Sequence, residues 1–226
     1  MQKKLIEYLS NILTPERNLL FERVLQQRTS YLTVVLEDIF QAQNASAVLR
    51  TCECFGIQNI HVIENRNSFT VDKEVAMGAS KWLSIHKYSQ QENNSQEAIN
   101  NLKNQGYRII ATTPHTNDIL LHDFDLNKGK AALVFGSELP GISAGILNEA
   151  DEFLKIPMVG FTESFNISVS AAIILSHLTK RLKKLPDIQW QLDSEEKDEI
   201  KLQWLRKNIK KCSLLEERFI DRKSVV

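Results

Sequence analysis

The chain has 226 residues, of which 42% are hydrophobic and 25% charged, with a formal net charge of zero; this is the profile of an ordinary soluble globular protein, long enough for one large domain or a domain with appendages. No apolar run approaches the roughly 18 residues that a membrane-spanning helix needs. The opening MQKKLIEYLSNIL is broken by Glu7 and Asn11, and no small-residue cleavage site follows, so neither a membrane partner nor a secretory signal is expected and the location expected is cytoplasmic.

Cysteine and histidine usage excludes further classes. Cys52, Cys54 and Cys212 are odd in number and lack a pairing framework, which suits a reducing compartment. Cys52 and Cys54 are two apart on an expected helix and point to different sides, and none of the five histidines has metal-ligand spacing, so no metal is expected. The zero net charge hides a division. Residues 1–30 carry five Lys/Arg and three Asp/Glu, residues 31–179 carry 10 and 16, and residues 180–226 carry 13 and nine. Two basic ends around an acidic middle suggest that the termini hold a polyanion, although charged helices also serve as plain solvated faces.

In chain order, TPERNLLFERVLQQR begins with Thr14 placed to cap a helix and Pro15 at its first position. Short apolar segments rich in β-branched residues follow: YLTVVLED (31–38), NIHVIE (59–64), KWLSIHKY (81–88), YRIIATT (107–113), KAALVFG (130–136) and EFLKIPM (152–158). These read as strands. Helical periodicity fills 43–55, 91–105, 142–149 and 164–184. Alternation of this kind predicts an α/β domain with a mainly parallel sheet covered on both faces. Leu185-Pro186 stops the long helix, and SEEKDEIKLQWLRKNIKK opens at Ser194 with acids and closes with bases, matching a helix dipole. The division expected is a helical extension over 1–30, the α/β domain over 31–184 and a basic helical extension over 185–226. In the last of these Arg206, Lys207 and Lys210 are expected to share a helical face that meets the backbone of a polyanion.

Three stretches are candidates for chemistry. QNASAVLRTCECFG (43–56) places Ala45, Val48, Leu49, Cys52 and Phe55 at the spacing of a buried helical face, yet carries Arg50, which either snorkels to solvent or serves a site. LVFGSELPGIS (133–143) runs a buried-type strand into Gly136, Glu138 and a Pro140-Gly141 turn. IPMVGFTESFNISVSAA (156–172) ends a strand and presents Ser164 and Asn166 before an apolar helix. Polar residues at the carboxyl ends of adjacent strands are where open α/β sheets bind ligands. Each also has a plain reading: glycines for tight turns, Ser164 or Asn166 as a helix cap, Glu138 as a solvated loop residue. No GxGxxG, Walker A, HExxH or GxSxG motif is present.

Taken in order and spacing, N-x-S-A-V-L-R-T with F-G, V-F-G-S-E-x-x-G-I-S, and I-P-M-x-G-x-x-x-S-x-N-I-S-V-S-A-A resemble the three motifs of the SPOUT superfamily, and more narrowly its SpoU/TrmH-type RNA ribose 2′-O-methyltransferases, over roughly residues 30–184. The resemblance implies an α/β knot, a deep trefoil threaded by the carboxyl-terminal segment, which patterning alone would exclude because true knots are rare. It also implies S-adenosylmethionine as cofactor and a homodimer with the site at its interface. By motif, Asn44, Arg50, Glu138, Ser164 and Asn166 are the implied catalytic residues, and Phe135, Gly136, Ile156, Met158 and Phe165 lie against the cofactor. The departures are Phe165, where leucine is common, and Ser170, where alanine is common. The basic ends, without a separate amino-terminal RNA-binding domain, resemble tRNA-modifying members that methylate a D-loop guanosine at position 18. Ribosomal RNA as substrate and a catalytically silent RNA-binding module are the alternatives.

Overall fold

Every segment read as a strand forms one in the computed structural model, which describes residues 1–114, 118–137 and 140–224. They are β1 (Leu32–Glu37), β2 (Asn59–Ile63), β3 (Ser84–Tyr88), β4 (Arg108–Thr112), β6 (Ala131–Phe135) and β7 (Glu152–Lys155), with a two-residue β5 (Ile119–Leu120) added before β6. The seven strands make one sheet in the order β3-β2-β1-β6-β4-β7-β5. Each pairing is parallel, with Val34 opposite Ile60 and Leu133 on the two sides of β1. Chain order reverses between β1 and β6, the kind of switch point at which such sheets open a crevice.

The two faces of the sheet have separate cores, as the period of two requires. Leu32, Val34 and Leu36 of β1 and Ala131, Leu133 and Phe135 of β6 face one core, beneath α3 (Ala42–Phe55) and α7 (Ile167–Leu182). Val35 with Ala132 and Val134 faces the other, beneath α5 (Asn94–Asn104) and α6 (Ala144–Glu149). All six residues of β1 are buried, each large apolar one contributing about 1.5–3 kcal/mol. Burial on both sides explains why these strands read as continuous apolar runs. A single turn, α4 (Lys73–Ala76), leads toward β3. The strand expected over 81–88 is shorter, because Ala79–Lys81 form a 3₁₀ turn ahead of it.

The chain falls into two compact units: Thr29–Trp190, which holds the sheet, and Met1–Arg28 with the chain from Gln191 onward. This differs from the expected division. The two extensions make one unit, and residues 185–190 belong to the sheet unit, where Leu185, Ile188 and Trp190 pack on its core and the Thr29 hydroxyl donates to the Trp190 carbonyl at 2.5 Å.

The terminal unit contains α1 (Gln2–Ser10), α2 (Pro15–Leu25), α8 (Ser194–Asn208) and α9 (Cys212–Ser224). Thr14 caps α2 by accepting from the Arg17 N–H, with Pro15 at the first position, as the sequence predicts. Trp204, 2% exposed, meets Phe21 edge-on at 5.5 Å and lies 5.5 Å from the Arg28 guanidinium. The cap of α8 is Asp193, one residue before Ser194, in a reciprocal capping box with Glu196.

Candidate functional site

A cleft of about 610 Å³ opens at the carboxyl ends of β4, β6 and β7, within the size range of small-molecule sites. Its walls include Phe135 and Gly136 from the end of β6 and Ile156, Met158, Ser164, Phe165 and Asn166 from the loop between β7 and α7. The structure thus brings together all five residues singled out for the cofactor and both polar residues of the third stretch. Thr112, Thr113 and Glu163 also line it. Sequence reasoning misses these three, although Thr112 and Thr113 carry the signal used elsewhere, polar residues at a strand's carboxyl end. The helix expected from 164 begins at Ile167, which leaves Ser164 and Asn166 in the loop.

Gly136 fixes the shape of one wall. A Cβ there would lie 2.2 Å from the Gly141 carbonyl carbon and 2.3 Å from the Ile142 nitrogen, so the backbone crosses itself at a distance that only glycine permits. Gly141 itself has φ +68°. Glu138, the carboxylate of this stretch, lies outside the described residues.

Asn166 joins two of the motifs. Its Oδ1 caps α7 by accepting from the Ser168 N–H at 2.8 Å, so the plain reading as a helix cap is correct as far as it goes. Its Nδ2 donates to Asn44 Oδ1 at 3.0 Å, and Asn44, 8% exposed on α3, donates in turn to Gln41 Oε1 at 3.0 Å. This line of amides sets the start of α3 against the start of α7. Ser164 is exposed, with no hydrogen-bond partner among the described residues.

Arg50 is placed differently. Ala45, Val48, Leu49 and Cys52 are buried, as their spacing predicts, and Gly56 ends α3 in the left-handed region. Arg50 lies six residues beyond Asn44, about one and two-thirds turns, so it points from another face of the helix. It is exposed, has no partner among the described residues, and is not among the residues lining the cleft of its own chain.

The tail departs from expectation. α8 ends at Asn208, and Lys211 adopts φ +55°, so Lys210 falls in the turn before α9 and shares no helical face with Arg206 and Lys207. Arg206 makes a two-pronged ion pair with Glu216 of α9, Nε to Oε1 at 2.7 Å and Nη2 to Oε2 at 2.9 Å. The shared hydrogen bonds hold the Glu216 carboxyl below its ordinary range and the arginine above its own. Among the described residues no three His, Cys, Asp or Glu gather as a metal site, and no helix is long and apolar enough to cross a membrane.

Comparison with known proteins matches residues 31–176 to the family model described as the SpoU rRNA Methylase family. The chain is 44% identical over 213 residues to the tRNA (guanosine(18)-2′-O)-methyltransferase of Borreliella burgdorferi, covering 94% of this chain and 95% of the relative. Among solved structures, the A. aeolicus TrmH/SpoU tRNA modifying enzyme superposes with a TM-score of 0.75 at 28% identity, covering 87% of this chain and 98% of that one. The SpoU methyltransferase AviRb from Streptomyces viridochromogenes, in complex with the cofactor AdoMet, superposes with a TM-score of 0.55 at 18% identity over 70% of this chain and 60% of that one, a likeness of fold. The mainly parallel sheet, the cleft at the ends of β6 and β7 and these matches lead to one assignment: the chain belongs to the SpoU methylase family.

Proposed function

We propose that the protein methylates the 2′-hydroxyl of a guanosine ribose in tRNA, at position 18 as the names of its relatives state for them. The observation that carries this reading is the cleft in which the second and third motifs converge, joined through the Asn166–Asn44 hydrogen bond to the helix bearing Arg50. The cleft suits S-adenosylmethionine: apolar walls from Phe135, Ile156 and Met158 face polar groups at Ser164 and Thr112, and glycine lets the backbone close in at Gly136. When bound there, S-adenosylmethionine supplies the electrophilic methyl group. The trefoil knot belongs to the same reading, as does a cytoplasmic location.

A ribose 2′-hydroxyl is a weak nucleophile, so the protein's task is to hold it in line and to stabilise the charge that grows as its proton leaves to solvent. A guanidinium stays protonated at neutral pH, so Arg50 acts as an electrostatic partner of the alkoxide and the neighbouring phosphate, not as a base. Ser164 positions the ribose, and Asn44 and Asn166 hold the two helices that frame it. Because Arg50 lies outside the cleft of its own chain, a homodimer completes the site, the guanidinium of one copy serving the cleft of the other. Val159 and Phe161, fully exposed on the cleft loop, and Val169 on α7, 43% exposed, are apolar groups that such an interface would cover. Lys207 and Lys210 of the tail contribute phosphate contacts, with Arg206 shared between RNA and Glu216.

The test is methyl transfer from labelled S-adenosylmethionine to unmodified tRNA and to ribosomal RNA, followed by mapping of the 2′-O-methyl position. One labelled guanosine in the D-loop of tRNA is expected. Label in ribosomal RNA alone would move the substrate to the class in the family's description, and label in neither, with the cofactor bound, would leave an RNA-binding module.

A further inference from the structure

A second cleft, of about 480 Å³, opens at the carboxyl ends of β1, β2 and β6. Ser137, Pro140, Gly141 and Ile142 line both this cleft and the one assigned to the cofactor, so these four residues form a shared wall. Its deepest acid is Glu37, 2% exposed, with both oxygens engaged: Oε1 accepts from the Ser95 hydroxyl at 2.7 Å and the Ser143 hydroxyl at 2.6 Å, and Oε2 from the Ser143 N–H at 2.8 Å. This part of the wall is therefore fixed and closed to ligand.

Asp38 beside it is held and yet open. Its backbone is left-handed at φ +50°, an unusual state for a residue with a Cβ and one that gathers at ligand sites. One carboxylate oxygen, Oδ1, takes the N–H groups of Asn65, Arg66 and Asn67 at 2.7, 2.8 and 3.3 Å. The other, Oδ2, has no partner among the described residues. Nor has the exposed side chain of Arg66, which lines the same cleft. The cleft thus offers a rigidly mounted acceptor oxygen and an open guanidinium. Glu37, Asp38 and Glu92 outnumber Arg66, which disfavours a phosphate or another anion. The oxygens of Glu37 are already occupied by N–H and O–H donors, which disfavours a cation. A flat neutral ligand with donors on one edge and acceptors on the next remains. Guanine is such a ligand: N1–H and the N2 amino group lie side by side, and O6 with N7 is the pair that arginine binds in a bidentate manner.

We infer that this cleft holds the base of the guanosine whose ribose is methylated, with Asp38 Oδ2 accepting from N1–H and the N2 amino group and Arg66 donating to O6 and N7. The inference rests on the reading above that a guanosine is the methyl acceptor. It gives the two clefts a division of labour, cofactor in one and base in the other, with the reacting ribose beside the wall they share.

Asp38→Asn tests this without dismantling the loop. Asparagine tolerates the left-handed backbone, and its carbonyl oxygen still accepts the three N–H groups, while the open position turns from acceptor to donor. Methyl transfer is measured on RNA carrying guanosine, inosine or 7-deazaguanosine at the methylated position. Inosine lacks the amino group and 7-deazaguanosine lacks N7, so the wild type should use each about tenfold or more less well by kcat/KM. Asp38→Asn should lose the preference for guanosine over inosine, and Arg66→Ala the preference over 7-deazaguanosine, both with unchanged melting and cofactor affinity. Wild-type preference ratios in both variants, or equal use of inosine and guanosine by the wild type, would overturn the inference while the methylation reading stands. A wild type that methylates no guanosine in any RNA would instead overturn that reading. Should Asp38→Asn fail to fold, the Arg66→Ala ratio decides.

Discussion

Two arginines singled out in the sequence on different grounds have opposite surroundings. Arg50 on α3 is exposed with no partner among the described residues, whereas Arg206 on α8 is clamped by both oxygens of Glu216. A guanidinium already satisfied by a carboxylate must give up two charge-assisted hydrogen bonds before it can grip a phosphate, and only the difference counts toward binding. One without such a partner has nothing to exchange. Basic residues counted along a chain therefore overstate the charge that a tail holds free for a polyanion.

The comparison breaks most sharply at Arg50. Arg50→Ala is expected to lower single-turnover methyl transfer by roughly 10²–10³-fold, the effect of removing one transition-state donor, while cofactor affinity measured by calorimetry stays unchanged. Activity within a few-fold of wild type would remove Arg50 from the mechanism. The tail offers a middle-sized effect. Replacing Arg206, Lys207 and Lys210 with glutamine should flatten the dependence of log affinity on log salt by about 0.7–0.9 for each phosphate no longer neutralised. Taken singly, Arg206→Gln should move that slope less than Lys210→Gln, and Glu216→Gln should steepen it. Equal slopes for the two single variants would show that the Glu216 clamp is irrelevant to RNA.

The smallest effect concerns acid, where the two units again differ. In the sheet unit His61 is 2% exposed, stacked on His86 at 4.8 Å and paired with the Tyr88 hydroxyl at 3.0 Å. Burial, aided by the charge of His86, lowers its pKa from 6.5 to about 3. The unfolded chain therefore binds a proton that the folded chain refuses, and stability falls as pH drops from 6.5 toward 3, by about 1.4 kcal/mol per pH unit for one such group. In the terminal unit the Glu216 carboxyl is lowered from 4.5 by Arg206, so its contribution is complete above 4.5 and fades only below it. Urea unfolding between pH 6.5 and 4.5 should show a shallower loss in His61→Gln than in wild type, and no change of slope in Glu216→Gln.

Much of the fold is legible in the sequence. Strands buried on both faces advertise themselves as β-branched runs, so β1, β2, β4 and β6 lie within a residue or two of where the pattern puts them. The cleft residues are legible because they sit where strands end. β5, with two residues, is too short to show any period. The end of α8 escapes the pattern because Ile209 and Lys210 continue the helical spacing in the sequence, while the backbone turns extended at Ile209 and left-handed at Lys211. The guanine cleft is invisible for another reason: Asp38, Arg66 and Ser143 come from three separate loops, and no local spacing relates them.

The tight crossing at Gly136 gives the two clefts a common partition. Ser137, Pro140, Gly141 and Ile142 line both clefts, and the missing Cβ leaves no slack between residue 136 and residues 141–142. A ligand that shifts this partition from one side changes the free energy of filling the other, and linkage requires the effect to be reciprocal: whatever factor the cofactor applies to nucleoside affinity, the nucleoside applies to cofactor affinity. Spent cofactor and methylated product would then loosen or tighten each other's hold by one and the same factor.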